Sequence, residues 1–464
     1  MKGVRILEGA QSWQIFQQEN GYAQVTLSGT YQRRLTPDMA EDYLEQELVY
    51  AMVSRESDSE PVVWWTPCQC GDGKWSVTLK IPAGGPYSIY TEMTEREMTQ
   101  WSEWGTPGDM VRHIGVGDLY LIAGQSNAVG YGKDFIEDAP ELGIHMQCNN
   151  GTWDLASHPL STRDTRQDLP TDGTHVTGHS MYLSFAKMLK RDLGYPIGLI
   201  PAALGGVNLS RWNPEENGDL YDFAMERIRD CGGKIKGILW YQGCSDTDTQ
   251  ANATSYHQRF GRMVEHFRKD LGEDVPVFTM QISYTNDYRY VRDYDWYAVV
   301  RQQQVDCARE IPGVYILPTT DAMMSDMVHI AAASNMRLGQ LLAKQVLTVL
   351  YGKQYLCHAP MLASVRRISA DTVDLVFDNV YERLETLVPA WALEIAAQDG
   401  DVQLPVAAYQ ILDRNKLRLT FEKALSDDVR FHGGFPMIRK GFLPFDYATH
   451  MPILAFYGQT IDTK

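Results

Sequence analysis

The middle of this chain alternates short, continuously apolar runs with segments in which apolar residues recur at helical spacing. Gly178–Leu193 and Ser334–Leu350 both place apolar residues on one side of a helix. Strands that are apolar at every position are typical of a parallel sheet covered by helices on both faces. We therefore predict an α/β domain whose strands lie at Asp118–Ala123, Pro196–Leu204, Ile235–Tyr241, Val275–Ile282 and Val314–Pro318.

The two ends of the chain show a different pattern, in which apolar and polar residues alternate. Trp75–Ile81 alternates in this way between two Gly-rich turns, and Val373, Leu375 and Phe377 do so near the other end. Such runs favour antiparallel β domains of the sandwich type. A chain of 464 residues has room for about three domains. We predict an N-terminal β domain at 1–115, the α/β domain at 116–356 and a C-terminal β domain at 357–464.

Composition excludes several classes of partner. The chain carries 42 basic and 59 acidic residues, a formal net charge of −17, so we expect neither nucleic acid nor an anionic membrane surface as a partner. It contains no apolar run of the roughly 18 residues that a membrane-spanning helix needs. The first residues lack an apolar stretch of signal-peptide length, which favours the cytoplasm, or secretion if a leader preceded this chain.

Cysteine and nucleotide motifs point to no cofactor. The seven cysteines are scattered, and no second pair at zinc-ligand spacing accompanies Cys68 and Cys70. The sequence also lacks the GxxxxGK[ST], GxGxxG and HExxH motifs. We therefore predict no metal and no other cofactor. The oligomeric state has no readable signal in the sequence.

The residues that follow the apolar runs suggest chemistry, because an open parallel sheet binds ligands beyond the carboxyl ends of its strands. These positions carry a hydroxyl, two glycines, a side-chain amide and an acid three residues before a histidine. They are Ser126, Gly205, Gly206, Gln242, Asp326 and His329. Together these residue types are the parts of a serine hydrolase.

Each part has a physical role in such an enzyme. Ser126 would stand where a strand turns into a helix, which directs its own amide at a developing oxyanion. The two glycines would let the backbone come close and offer a second amide, and Gln242 would supply a third donor. An imidazole changes its charge near neutral pH, so His329 suits proton transfer to and from Ser126. Asp326 would hold that ring in the required tautomer.

Each residue also has an ordinary structural interpretation. A serine at a helix start is commonly an N-cap, and two glycines after a strand commonly form a turn. Gln242 would then satisfy a buried backbone group, His329 would be a capped loop residue, and Asp326 would be solvated. The coincidence of all of them at one edge of the predicted sheet favours the catalytic interpretation.

At these residues the chain resembles the SGNH-hydrolase superfamily, and within it the sialate O-acetylesterase-like carbohydrate esterases. The resemblance rests on blocks that occur in the family's order: Gly124–Asn127 (GQSN), Ile197–Gly206 with Trp212, Trp240–Asp246 (WYQGCSD) and Asp326–His329 (DMVH). Gly73–Tyr87 and Met451–Phe456 are similar to flanking parts of those enzymes. One departure is Cys244, which stands where the family commonly has Glu.

The resemblance implies a flavodoxin-like three-layer α/β/α hydrolase domain between the two β domains. It also implies a serine esterase that removes acetyl groups from an acetylated sugar or oligosaccharide through an acyl-enzyme. Ser126 would be the nucleophile, His329 the base and Asp326 the acid, with Asp321 as the alternative partner of His329. The oxyanion donors would be the Ser126 amide, the Gly206 amide in preference to that of Gly205, and Gln242.

Several neighbours of these blocks are predicted to contact substrate, namely Gln125, Asn208, Arg211 and Trp212. Packing in the core is an equally open interpretation of Trp212. His175 and His179 precede the predicted helix and either line the cleft or cap that helix.

Two alternatives to sugar deacetylation stay open. One is a general short-chain esterase of the same superfamily, although the flanking β domains argue against a minimal lipase. The other is a non-catalytic carbohydrate-binding protein, against which the complete Ser126 and His329 set weighs.

Overall fold

The computed structural model describes residues 3–32, 48–94, 105–160, 177–287 and 296–462. These residues form three hydrophobic cores, which lie mainly in successive parts of the chain. Within the described ranges, no helix is long and apolar enough to cross a membrane.

The N-terminal part is built of β-strands that share one of these cores. In chain order the strands are β1 (Gly3–Glu8), β2 (Ile15–Gln17), β3 (Tyr22–Gln32), β4 (Leu48–Arg55), β5 (Pro61–Pro67), β6 (Gln69–Gly71), β7 (Lys74–Pro82), β8 (Gly84–Thr94) and β9 (Thr106–Gly124). One sheet has the order β1-β3-β7-β6, and β5, β4, β8 and β9 pair in a second. The predicted strand at Trp75–Ile81 is confirmed as part of β7, with its alternate side chains buried.

The central part alternates strands and helices, as the apolar runs predict. Its elements are α1 (Ser126–Val129), β10 (Ile144–Gln147), β11 (Trp153–Leu155), α2 (Tyr182–Leu193), β12 (Ile197–Pro201), α3 (Asp219–Asp230), β13 (Gly237–Tyr241), α4 (Gln250–Leu271), β14 (Val277–Met280), α5 (Trp296–Glu310), β15 (Val314–Leu317) and α6 (Ala332–Tyr351). All five predicted runs are confirmed as strands, and both predicted helices are confirmed as α2 and α6.

The central sheet has the order β11-β10-β12-β9-β13-β14-β15. Its pairs are parallel except for β11, which runs antiparallel to β10. The segment β12-β9-β13-β14-β15 follows the flavodoxin-like order of a doubly wound sheet, which confirms the predicted fold class. The sequence did not reveal β10, because its polar His145 and Gln147 interrupt the apolar pattern while both are buried.

Strand β9 belongs to both the N-terminal part and the central sheet. Its first half pairs antiparallel with β8, and Asp118–Gly124 pairs parallel with β12 and β13. The predicted boundary between residues 115 and 116 therefore falls inside a continuous strand. Ile15 reinforces the connection, since β2 pairs with the middle of β9 and Ile15 packs in the core of the central sheet.

The C-terminal part is again built of strands, together with its own core. They are β16 (Met361–Arg367), β17 (Thr372–Asp378), β18 (Leu384–Glu385), β19 (Ile395–Asp399), β20 (Val402–Leu412), β21 (Lys416–Phe421), β22 (Arg430–Gly433), β23 (Phe445–Asp446) and β24 (Phe456–Thr460). An antiparallel sheet has the order β16-β17-β21-β20-β19-β22-β24, and β18 pairs with β23. The predicted alternation at Val373, Leu375 and Phe377 is confirmed, because all three are buried in β17.

Candidate active site

The end of β9 forms a tight turn that presents Ser126. Gly124 has a φ of +129°, and a Cβ at this position would lie 2.2 Å from the carbonyl oxygen of Tyr241, so only glycine fits between the strands. The next amide, that of Gln125, donates to the same Tyr241 oxygen at 2.9 Å. Helix α1 then begins at Ser126, whose amide has no acceptor within the helix because it belongs to the first turn.

The Gln125 side chain joins the ends of two neighbouring strands. It is buried, and its Oε1 accepts hydrogen bonds from the amides of Gly243 at 3.0 Å and Ser245 at 3.4 Å. The sequence predicts that Gln125 contacts substrate. In the structure its side-chain carbonyl instead links the end of β9 to the segment that follows β13.

Asp326 and His329 form a hydrogen-bonded pair on the loop after β15. His329 Nδ1 lies 2.9 Å from Asp326 Oδ2, while Asp326 Oδ1 accepts from the amides of Val328 and His329 at 2.9 and 2.8 Å. Because an ionised carboxylate can only accept, Nδ1 is the donor in this hydrogen bond, and Nε2 is the nitrogen turned away from Asp326. The alternative acid, Asp321, instead forms an ion pair with Arg337 at 2.6 Å.

The surroundings of Asp326 keep it ionised. Partial burial by itself would raise the pKa of this carboxyl group, but hydrogen bonds from Lys133, His329 and two backbone amides outweigh it and lower the pKa well below its usual range. Lys133 Nζ lies 2.9 Å from Asp326 Oδ2. The sequence carries no signal for Lys133, since its partner is 193 residues away.

Asn127 holds the histidine loop against the start of α1. Its Nδ2 donates to the carbonyl of Val328 at 3.2 Å, and its Oδ1 accepts from the amide of Ile330 at 3.0 Å. Val328 and Ile330 flank His329, so the Asn127 side chain bonds to the loop on both sides of the predicted base. Sequence reasoning missed this role, although Asn127 stands in the GQSN block.

Tyr131 and Gly205 complete the surroundings of Ser126. The Tyr131 ring stacks on His329 with a centroid separation of 4.6 Å and an interplanar angle of 19°. A Cβ built on Gly205 would lie 3.3 Å from the Tyr131 hydroxyl oxygen and 3.6 Å from Ser126 Cβ. The glycine block, Ser126 and the histidine thus converge at one place, as the strand-end argument predicts. Sequence reasoning did not identify Tyr131.

Among the predicted residues after β12, Asn208 and Arg211 have hydrogen-bond partners within the protein. Gly206 is exposed and has a φ of +70°, which favours glycine. Asn208 is half-buried, and its Oδ1 accepts from the Ser210 hydroxyl at 2.6 Å. The Arg211 guanidinium pairs with Asp219, with Nε 3.0 Å from Oδ1.

The structure corrects the prediction that Gln242 donates to the oxyanion. Gln242 is 0% exposed, and its Nε2 donates to Asp246 Oδ2 and to the carbonyl of Val207. An amide nitrogen carries two hydrogens, so neither is left for a ligand. The bonded pair instead fixes the loop after the glycine block, because Asp246 also accepts from the amide of Leu209 at 2.9 Å.

The prediction that Trp212 contacts substrate is also corrected. Trp212 is 0% exposed and meets Trp240 edge to face, with ring centroids 5.2 Å apart. A ring without exposed surface cannot stack on a sugar, so the alternative interpretation as core packing holds.

Among the described residues, Asp138, His158 and His179 bring metal-ligand atoms within 4.8 Å of one another. The Ser180 amide reaches His158 Nδ1 at 3.4 Å, which puts the ring proton on Nε2, 3.1 Å from Asp138 Oδ2. Lys187 Nζ lies 2.5 Å from the other carboxylate oxygen. Hydrogen bonds from both histidines and a charge partner within the protein therefore satisfy the Asp138 carboxylate. His175 lies outside the described residues.

Residues 116–348 match the family of sialic acid-specific acetylesterases among the carbohydrate esterases. That range covers half of the chain and contains every residue of the site described above. This chain belongs to that family. It is therefore a carbohydrate esterase, an enzyme that hydrolyses carboxylic esters, as the sequence blocks imply.

Individual relatives are more distant. A protein of Arabidopsis thaliana described as a probable carbohydrate esterase is 26% identical over 253 residues, which cover 50% of this chain and 90% of the relative. The human sialate O-acetylesterase is 23% identical over 231 residues, 42% of each chain. The solved structure of a carbohydrate acetylesterase from Xanthomonas citri has a TM-score of 0.67 at 17% identity, covering 98% of this chain and all of that one. That likeness shows the shared fold, including the parts on either side of the central sheet.

Proposed function

We propose that this carbohydrate esterase removes acetyl groups from the hydroxyls of a sugar or oligosaccharide, with Ser126 as the nucleophile. The observation that carries the proposal is the Asp326–His329 pair, which Asn127 holds beside the start of α1. The names of the relatives support acetylated carbohydrate as the substrate class. The family match supports an enzyme over a non-catalytic sugar-binding protein.

The reaction would proceed through a covalent acyl-enzyme. His329 Nε2 takes the proton of Ser126 as its Oγ attacks the ester carbonyl carbon. The sugar oxygen then leaves with that proton, and the acetyl group stays on Ser126. Water attacks next, His329 again moves the proton, and acetate leaves. Asp326 keeps the imidazole in the required tautomer and stabilises its charged form.

Backbone amides would hold the oxyanion. The Ser126 amide lies in the first turn of α1 without an acceptor in the helix, and the glycine block approaches Ser126 from the next strand. We assign the second donor to the Gly206 amide. Gln242 takes no part, because its amide hydrogens are used within the protein. Preorganised donors of this kind are commonly the largest single contribution to ester hydrolysis.

The test is acetate release from an aryl acetate and from acetylated sugars by the wild type and by Ser126→Ala. Triad members act as a unit, so the variant should lose at least about 10³-fold in kcat while staying folded. Ser255→Ala on α4 is the matched control and should keep wild-type activity. An S126A enzyme with most of the wild-type rate would show that another group attacks the ester.

Acyl-chain length separates deacetylation from general short-chain ester hydrolysis. The wild type should prefer aryl acetate to aryl butyrate and octanoate if the site is built for acetyl groups. Comparable kcat/KM values across the three esters would favour the general esterase instead.

A further inference from the structure

The segment that follows α1 is bonded to the loop that carries His329, both before and after that residue. The Lys133 amide donates to Ser325 Oγ at 2.7 Å, and Asp134 Oδ1 accepts from the amide of Ala332 at 2.7 Å. These contacts fix the backbone of Lys133 next to the residue that precedes the triad acid. Its side chain therefore has a short and defined path to the carboxylate.

Lys133 and His329 share one oxygen of Asp326. Lys133 Nζ and His329 Nδ1 each lie 2.9 Å from Asp326 Oδ2, so the two nitrogens are less than about 6 Å apart. The other oxygen of the carboxylate accepts from the amides of Val328 and His329. The ammonium group is thus close enough to act on the imidazole, both through the carboxylate and directly.

Two effects of the ammonium group act on the imidazole in the same direction. It offsets part of the carboxylate charge that favours the protonated ring, and it repels the protonated ring itself. The side chain of Lys133 is 52% exposed, but that of His329 is only 8% exposed, so solvent screens this repulsion in part. For two unit charges about 5 Å apart near a protein surface, we expect an effect of about 0.5–1 pH unit.

Other charged and titratable groups stand on the elements around His329, which are its own loop, the segment after α1, helix α6 and the segment before α2. Among the described residues these groups belong to Tyr131, Asp134, His179, Asp321 and Arg337. Asp321 and Arg337 pair with each other, and His179 pairs with Asp138. Asp134 accepts from the first amides of α6, and the Tyr131 hydroxyl carries no charge near neutral pH. Lys133 differs from these groups, because its partner is the acid of the proposed triad.

We propose that Lys133 is a positioning residue of the esterase, which acts through Asp326 to keep His329 able to accept a proton at lower pH. This inference rests on the proposed function, because it takes His329 as the base. A base works only in its neutral form, so kcat/KM falls on the acid side as the imidazole becomes protonated. Lys133 moves this acid limb to lower pH, and the enzyme stays active further into the acidic range than Asp326 alone would allow.

The kinetic test follows kcat/KM on an aryl acetate across the acidic and neutral range. Lys133→Met should raise the midpoint of the acid limb by about 0.5–1 pH unit, which lowers kcat/KM about 3- to 10-fold at acidic pH and leaves it within about twofold of the wild type at neutral pH. Lys133→Arg keeps the charge and should keep the wild-type midpoint. Lys416→Met is the matched control, since Lys416 lies 2.9 Å from Asp413 in the C-terminal part. An unchanged midpoint in K133M, or a kcat/KM lowered equally at every pH, would overturn the inference.

A titration of His329 itself separates this inference from the proposed reaction. Nuclear magnetic resonance of protein labelled at histidine Cε1 follows each ring, and the His329 signal is the one missing from His329→Asn. Its titration midpoint should lie about 0.5–1 pH unit higher in K133M than in the wild type, and should not move in K133R or K416M. This measurement needs no turnover, so the shift would support the role of Lys133 even if S126A kept its esterase activity. Equal midpoints in K133M and the wild type would overturn that role and leave the assignment of Ser126 untouched.

Discussion

Gln242 donates both of its amide hydrogens inside the protein, to Asp246 and to the Val207 carbonyl. Replacing it by leucine leaves the buried Asp246 short of one donor. Hydrogen bonds to charged groups contribute about 1.5–3 kcal/mol, so Gln242→Leu should lower the free energy of unfolding by about that amount. Its kcat per folded molecule should fall by less than about tenfold, whereas losing an oxyanion donor costs about 10²–10³-fold. Urea unfolding and aryl acetate kinetics measure both quantities.

The exposed Gln354 offers a control for that substitution, because among the described residues its side chain bonds only to the nearby Gly352 carbonyl. Gln354→Leu should match the wild type in both measurements. If Q242L kept the stability of the wild type while its kcat fell about 10²-fold, Gln242 would be an oxyanion donor.

Substitutions of Asp326 and Asp321 should have different effects on the rate of ester hydrolysis. Of the two carboxylates, Asp326 is the one that hydrogen-bonds His329, and an asparagine there would favour the wrong tautomer of the ring. We expect Asp326→Asn to lower kcat on an aryl acetate by about 10²–10⁴-fold. Asp321→Asn should leave that rate nearly unchanged, because Asp321 pairs with Arg337. Equal losses in both variants would show that the two carboxylates share the role.

At the scale of elements, Asp138 joins three segments of the central part of the chain. It contacts His158, His179 at the start of the segment leading into α2, and Lys187 within α2. Removing one partner of a buried charge pair commonly costs about 3–5 kcal/mol, so Asp138→Asn should destabilise the protein by about that amount at neutral pH. Urea unfolding of wild type and variant tests this, with the exposed Asp413→Asn as the control.

The stability that Asp138 contributes should also depend on pH. Burial by itself would raise the pKa of this carboxyl group, but the hydrogen bonds from His158, His179 and Lys187 prevail and hold it well below its usual range. A lowered pKa means that the contribution is complete above the unfolded value of about 3.9 and is lost as the pH falls towards the folded value. The gap in unfolding free energy between wild type and D138N should be narrower at pH 3 than at pH 5. A gap that widens from pH 5 to pH 3 would contradict this assignment.

At the scale of the whole molecule, β9 runs without a break from the N-terminal part into the central sheet and pairs with strands of both. Destabilising the N-terminal core should therefore lower the temperature at which the esterase inactivates. Trp75 is buried in that core, and replacing a buried tryptophan by alanine costs about 3–5 kcal/mol. Trp75→Ala should lower both the thermal unfolding midpoint followed by circular dichroism and the temperature at which half of the activity is lost. Trp64→Ala, at a half-exposed position, should lower neither temperature. Activity that survives to the wild-type temperature in W75A would show two independently folding units.

The sequence predicted most of the central fold because each apolar run and each helical spacing is a local pattern. The sequence did not predict β10, because residue type alone does not show that the polar His145 and Gln147 are buried in a strand. In the candidate site, Ser126, Asp326 and His329 could be named from their places after strands. Asn127, Tyr131 and Lys133 could not, because their contacts join segments about 200 residues apart.

The sequence by itself determined the α/β order, the chemistry available at the strand ends and the family, because these depend on residue type and spacing along the chain. Only the tertiary structure decided which acid meets His329, that Gln242 serves Asp246, and that Trp212 lies in the core. The physical reason is that a side chain's role depends on its partner and its exposure. Both are set by strand neighbours and loop contacts far away in the sequence.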